Sequence, residues 1–277
     1  MTTTNPASAE AASTPALSIL VPVFNEQATI RPVVEKVRSI QFGASMEIVI
    51  VDDGSSDGTS DILDALPGWP DVKVVRHARN GGKGAAIQTA LQHARGRFVV
   101  IQDADLELNP EDIIPLFEVV REGQAAVCYG SRFMGECRQY RRLPTYWANR
   151  VLTLVCNLLN GIHLTDMNTC YKMMRADVAR RIDLQSRGFA MEPEITTKLA
   201  RLGVKIIERP IAYKPRRSDQ GKKIKAFDLV RYLITMVRFR CLPTAPPAVN
   251  VEQAATLVVT GQELPDSPVY SVQSALA

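Results

Sequence analysis

Long apolar runs are missing from this 277-residue chain. None approaches the ~18 residues a transmembrane helix needs. The opening Met1-Thr-Thr-Thr-Asn-Pro-Ala-Ser-Ala-Glu10 has neither a basic start nor an apolar segment, which argues against a secretory signal. Cysteine is scarce and scattered: Cys128, Cys137, Cys156, Cys170 and Cys241 are odd in number and form no CxxC pair. That supports neither a disulfide framework nor a zinc site, and predicts a cytosolic protein with mostly structural cysteines. Lys and Arg are absent after Cys241.

What is present is ordinary in bulk and uneven in detail. At 46% hydrophobic and 22% charged, the chain can bury a sizeable core. The net charge of +4 hides a basic block: Lys214 to Arg240 holds nine Lys/Arg against two Asp/Glu, so the remainder is net negative. Such a block points to a polyanionic partner, a phosphate or an anionic membrane. Aromatic side chains are not interleaved as in stacking platforms, so nucleic acid is not the expected partner.

The first 130 residues alternate strand and helix patterns. Leu17–Phe24, Met46–Val51, Val72–Arg76, Arg97–Ile101 and Ala125–Tyr129 are short apolar or β-branched runs. Between them lie helical patterns, such as Ile30, Val33, Val34 and Val37. This predicts an α/β fold: a doubly wound, mostly parallel sheet flanked by helices. Ligands bind such sheets at the carboxyl ends of the strands. There the sequence places Asn25-Glu26, Asp52-Asp53, Arg79 to Lys83, Asp103 to Glu107, and Ser131-Arg132.

Ile101-Gln-Asp-Ala-Asp-Leu-Glu107 is the chemical centre of the pattern. If strand geometry persists past Ile101, Asp103, Asp105 and Glu107 share a face. Crowded carboxylates need compensation, which Mg²⁺ or Mn²⁺ supplies while bridging to a diphosphate. A solvated acidic loop at a helix start is the alternative. Further on, helices are expected over 110–122, 147–159, 189–202 and 224–240, a loop running into a strand over 166–174, and a strand over 204–213. The helix at 147–159 is more apolar than one buried stripe requires. That at 224–240 is a basic amphipathic helix, able to lie on an anionic membrane or to pack on the domain with a solvated face.

Leu17-Ser-Ile-Leu-Val-Pro-Val-Phe-Asn-Glu26, Val51-Asp-Asp-Gly-Ser-Ser-Asp-Gly-Thr59, Asn80-Gly-Gly-Lys-Gly84 and Asp103-Ala-Asp-Leu-Glu107 together resemble the family 2 glycosyltransferases of GT-A fold. Within them the chain is most similar to dolichyl- or polyprenyl-phosphate mannose and glucose synthases, as Gly130-Ser-Arg-Phe133 and Glu192-Pro-Glu194 also suggest. The resemblance spans about residues 17–240. It implies a GT-A domain over 16–241, while a Thr/Ala/Ser-rich composition without periodicity predicts a disordered leader over 1–15, and the tail over 242–277, Pro-rich at first and without Lys or Arg, is expected to be disordered. Within the domain, a nucleotide-binding half covers about 16–132 and an acceptor half about 133–241.

The resemblance also implies roles. Asp53 holds the base or ribose; Asp52, Pro22, Val23, Asn25 and Glu26 line the nucleotide pocket; Lys83 reaches the nucleotide or its diphosphate. Asp103, Ala104 and Asp105 form the DxD motif that holds the metal (Mg²⁺ or Mn²⁺) and the GDP- or UDP-sugar, with Glu107 as a further ligand where some members carry Gln. Asp103, Asp105 and Arg132 are the expected catalytic residues. In-line attack on the anomeric carbon inverts its configuration. A polyprenyl phosphate acceptor is already anionic and needs cations to place it, for which Arg132, Arg141, Arg142, Lys222 and Lys223 are candidates. A hydroxyl acceptor needs a base, and Glu192 or Glu194 would serve.

Two departures narrow the activity. The Gln-x-x-Arg-Trp motif of processive polysaccharide synthases is absent. So are the transmembrane hairpins of some polyprenyl-phosphate glucose synthases, so a lipid acceptor must be met at the membrane, from its cytoplasmic face, as a peripheral protein. The other readings are transfer to a soluble acceptor such as glycerate, and a non-catalytic nucleotide-sugar-binding scaffold. The intact Asp103-x-Asp105 and Lys83 oppose the last.

Overall fold

In the computed structural model the described residues are 14–134, 143–215 and 226–242. The expectations for 1–13 and 243–277, and for Arg141, Arg142, Lys222 and Lys223, lie outside them.

Leu17–Val23 (β1), Met46–Asp52 (β2), Val72–Arg76 (β3) and Phe98–Ile101 (β4) alternate with Ile30–Ser39 (α1), Thr59–Asp64 (α2) and Lys83–His93 (α3). A 3₁₀ turn, Pro110–Asp112, precedes Ile113–Arg121 (α4), where one continuous helix was expected. Val127–Ser131 (β5), Leu143–Asn160 (α5), Lys172–Arg175 (β6) and Ala176–Arg181 (α6) follow. Met191–Arg201 (α7), Ile206–Pro210 (β7) and Ala226–Cys241 (α8) complete the order.

The seven strands lie in the order β3-β2-β1-β4-β6-β5-β7. All run parallel except β6, which is antiparallel to both β4 and β5. The sheet is therefore mostly parallel, as expected, but β5 does not pair with β4. The chain must come back through β6 to fill that gap, and nothing in the local pattern of 166–174 reveals it.

Strands β1, β2 and β4 are buried almost throughout, which accounts for their unbroken apolar runs. Edge strand β3 is half exposed. Helix α1 presents Ile30, Val33, Val34 and Val37 to the sheet, each fully buried. Burying such a side chain contributes about 1.5–3 kcal/mol. The chain winds from β1 outward to β3, then returns to place β4 on the other side of β1. That reversal opens a crevice at the carboxyl ends of β1 and β4.

Candidate active site

Three loops meet at this crevice, and their own polar groups bind them together. After β1, Asn25 takes a left-handed conformation (φ 55°). Its N–H donates to Ser55 Oγ at 3.0 Å, and its Oδ1 accepts the Ser56 N–H at 2.8 Å. The Glu26 N–H donates to Thr59 Oγ1, and Glu26 Oε2 accepts from Thr29 Oγ1. Pro22 is half-buried and Val23 buried; the Val23 carbonyl accepts the Asp53 N–H at 2.8 Å.

After β2, both aspartates are buried and engaged within the protein. Asp52 accepts the Ser55 N–H and the Ser60 hydroxyl. Asp53 accepts the N–H groups of Gly81 and Gly82 at 2.9 and 2.7 Å, and His77 Nδ1 lies 2.6 Å from Oδ1. Asp53 thus fixes the glycine loop that leads into α3. At Gly84 the approach is so close that a Cβ would lie 1.9 Å from the Ser186 carbonyl. The Arg187 carbonyl accepts the Ala85 N–H at 3.0 Å, so the segment before α7 rests on the start of α3.

Lys83 stands on that start. Its ammonium donates to Asp103 Oδ1 at 2.8 Å and lies 3.4 Å from Glu192 Oε1. Burial disfavours the Lys83 ammonium, but Asp103, Cys170 and Glu192 outweigh it and hold its pKa well above the usual lysine value. Burial likewise pushes Asp103 up, yet Lys83 above all keeps it below the ordinary carboxylate range, and Arg132 adds to this. The Cys170 thiol beside them is pushed well up, chiefly by burial.

The strand β4 ends at Ile101, and Leu106 turns the chain with φ 57°. The alternation therefore does not carry three carboxylates onto one face. Asp105 Oδ1 accepts the Glu107 N–H at 3.1 Å, and the Glu107 carboxylate takes a hydrogen bond from Tyr213. Burial first, then Glu107, pushes the Tyr213 hydroxyl up to about 12. Ala104 between the two aspartates is buried. Among the described residues no group of three His, Cys, Asp or Glu side chains is placed to hold a metal ion. Asp103 and Asp105, both only partly buried, nonetheless fit a hard divalent cation, because Mg²⁺ is usually held by one or two carboxylates together with waters and substrate phosphates.

Arg132 follows β5 and is anchored firmly. Its guanidinium grips Asp166 at two points, and Nη2 also reaches the Asn168 carbonyl at 3.0 Å. Glu208 supports this from β7, accepting from Thr165 N, Thr165 Oγ1 and Asp166 N. Arg132 also lies 5.3 Å from the Tyr213 ring centre.

The two candidate bases part company. Glu192 is buried beside Lys83. Glu194 is fully buried elsewhere: it accepts the Gln185 and Ser186 N–H groups at 2.7 Å each, and the Lys198 ammonium. It braces the loop before α7 and does not join the Lys83–Asp103 cluster. Sequence reasoning missed Asp166, Cys170, Lys172 and Glu208. Lys172 had a usable signal, a lone lysine inside the apolar run of a strand.

Beyond Arg132, aromatic rings lead outward. Phe133 meets Tyr146 at 5.4 Å, and Tyr146 meets Trp147 at 5.4 Å. Trp147 begins an exposed apolar row on α5 that continues with Val151, Leu154 and Leu158. Helix α8 packs on α5 through Tyr232 and Met236 and exposes Val230, Leu233, Ile234 and Val237. Arg150 on α5, and Arg231, Arg238 and Arg240 on α8, are exposed among them. Among the described residues no helix is long and apolar enough to cross a membrane.

Comparison with known proteins identifies the family and the fold. The model of the family described as Glycosyl transferase family 2 matches residues 18–183. The undecaprenyl-phosphate mannosyltransferase of Micrococcus luteus is 29% identical over 73% of this chain and 85% of its own. The dodecaprenyl-phosphate galacturonate synthase of Rhizobium johnstonii is 29% identical over 61% of this chain. That match spans only 50% of the relative's length. Glucosyl-3-phosphoglycerate synthase from Mycobacterium tuberculosis, solved with Mn²⁺, UDP and phosphoglyceric acid, has the same fold. Its TM-score is 0.61 at 20% identity, over 83% of this chain and 80% of its own.

Proposed function

This chain belongs to the family 2 glycosyltransferases, with a GT-A fold, and from that premise we propose that it transfers a hexose from GDP-mannose or UDP-glucose to a polyprenyl phosphate, with inversion and with a divalent metal, at a membrane surface. The observation that carries the acceptor half is the exposed apolar face of α5 and α8, reached from Arg132 through Phe133, Tyr146 and Trp147. An apolar face rimmed by arginines suits a lipid whose headgroups are anionic. The names of relatives that act on undecaprenyl and dodecaprenyl phosphates support the same reading.

The donor half rests on the crevice. The loops carrying Asn25, Asp52 and Asp53 hold one another and the glycine loop rigid, so a nucleotide meets a preformed wall. Lys83 brings a positive charge to the place where a leaving diphosphate gathers negative charge, and Arg132 keeps a second one nearby. A Mg²⁺ or Mn²⁺ ion held by Asp103 and Asp105 would stabilise that leaving charge as a Lewis acid. The acceptor phosphate is ionised at neutral pH, so no proton need be removed before it attacks. Arg132, fixed by Asp166, is oriented rather than mobile, which favours positioning of a phosphate.

The test is a product assay with purified protein, Mg²⁺ or Mn²⁺, labelled nucleotide sugars and short polyprenyl phosphates. Label entering the lipid phase from one donor is the expected result and names the sugar. Donor turnover with soluble acceptors alone, such as a glycerate, would overturn the lipid acceptor and retain the transferase.

A further inference from the structure

We propose that Glu192, backed by Lys172, is a positioning residue that holds Lys83 ready for the donor's diphosphate, and is not a base. The inference rests on the nucleotide-sugar reading above.

Four charges alternate in sign along one line of contacts. Lys172 donates to Glu192 Oε2; Glu192 Oε1 lies 3.4 Å from the Lys83 ammonium; Lys83 donates to Asp103 Oδ1 at 2.8 Å. The far end is sealed from solvent: the Lys172 side chain is 0% exposed and that of Glu192 5%. An ammonium has three donors. Those of Lys172 go to Glu192, the Met167 carbonyl at 3.0 Å and the Thr169 carbonyl, leaving none for a substrate. Each oxygen of Glu192 faces an ammonium, so the group is committed to two cations within the protein.

Lys83 is fixed at both ends. Its backbone root begins α3, directly after the glycine loop tied to Asp53 and two residues before Ala85, whose N–H is held by the Arg187 carbonyl; its tip lies between Asp103 and Glu192. A free lysine has four rotatable bonds to immobilise when it binds a phosphate, and prior immobilisation removes that loss. An arriving diphosphate competes with Asp103 for Lys83, while Glu192 is too deeply buried to be displaced. Lys83 therefore keeps one anchor and exchanges the other, and the freed Asp103 oxygen becomes available to the donor complex.

The experiment is calorimetric titration of UDP and GDP, each with Mn²⁺, into the full-length wild type and four variants. Glu192→Gln alone would leave the Lys172 ammonium buried without a counter-charge. The neutral pair Glu192→Gln/Lys172→Met avoids this. The other variants are Lys83→Met, the triple combination and Glu192→Asp. The neutral pair, which leaves the Met167 and Thr169 carbonyls without the Lys172 donor, should melt somewhat below the wild type yet fold, and bind the preferred nucleotide at least tenfold more weakly. Lys83→Met should lose as much, and the triple variant no more than Lys83→Met, because the residues act through one contact. Glu192→Asp, which keeps the charge but withdraws it, should fall between. Wild-type affinity in the neutral pair, or in Glu192→Asp should the pair not fold, overturns the proposal while Lys83→Met still marks the nucleotide site. Additive losses in the triple variant overturn it as well. A wild type that binds neither nucleotide overturns the nucleotide-sugar reading itself.

Discussion

Arg132 and Asp166 meet through two parallel hydrogen bonds, Nε to Oδ2 at 2.7 Å and Nη2 to Oδ1 at 2.9 Å. Asp166 is fully buried, and its Oδ2 also accepts the Arg132 backbone N–H at 3.1 Å. Main chain and side chain of the arginine are thus held by one carboxylate. Asp166→Ala would leave the guanidinium without its buried partner, at a cost of about 3–5 kcal/mol in stability. Urea denaturation should show a lower midpoint with little change in slope. A midpoint equal to wild type would mean the pair holds nothing in place.

Asp105 is half-buried, and its Oδ1 accepts the Glu107 N–H, a contact within its own loop. Asp105→Ala should therefore keep the fold while turnover falls by at least about 10²–10³-fold, the loss seen when one preorganised charge-stabilising contact is removed. Turnover rates and circular dichroism on the same preparation check both halves. Wild-type turnover would remove Asp105 from the proposed metal site.

Glu47 gives the fold an acid-sensitive brace between β1, β2 and the start of β4. Burial raises its pKa, but the Ser18 hydroxyl and the Arg95 N–H and guanidinium outweigh burial and hold it below its ordinary 4.5. A depressed folded value means the stabilisation is present above the unfolded pKa and is lost as pH falls through the folded one. Stability measured by denaturant should decline as pH drops below about 4.5. Glu47→Gln should flatten that decline and lose about 1–3 kcal/mol at pH 7. An unaltered acid limb in the variant would assign the decline to other groups.

Leu154, Leu158 and Ile234 are 57%, 76% and 62% exposed, so replacing them with Ser removes little packing. Each change should alter stability by no more than about 0.5 kcal/mol. If the α5–α8 face meets lipid, the triple variant should sediment less with vesicles containing anionic phospholipid, and added salt should weaken the wild type's binding as well. Equal sedimentation of variant and wild type would rule out this face as the contact.

The residue pattern located the strands β1 to β4 as short apolar or β-branched runs, and the α1 stripe of Ile30, Val33, Val34 and Val37 by its helical spacing, because each side buried against a neighbour demands apolar residues. It also placed Asp53, Lys83 and Asp103 at strand ends or helix starts, where a parallel sheet gathers its ligands. Bounds were legible to within a few residues, as at α5, whose pattern suggested 147–159 and which runs from Leu143 to Asn160. Helix α6, six residues long, had too few turns to show a period.

Only the tertiary structure decided the partners. That β6 enters antiparallel between β4 and β5 depends on pairings between distant segments, such as Phe98 with Arg175 and Val127 with Met174, and no local pattern encodes them. Glu192 and Glu194 are two residues apart and chemically alike. Yet one reaches Lys83 from 109 residues away while the other is used to brace 185–186. Residues two apart on a helix point in different directions, and only packing decides which of them faces a site. The sequence by itself determined which groups stand at the carboxyl ends of the strands. Their distances, and hence whether a carboxylate meets an ammonium or a backbone N–H, were set by the close approach of distant segments.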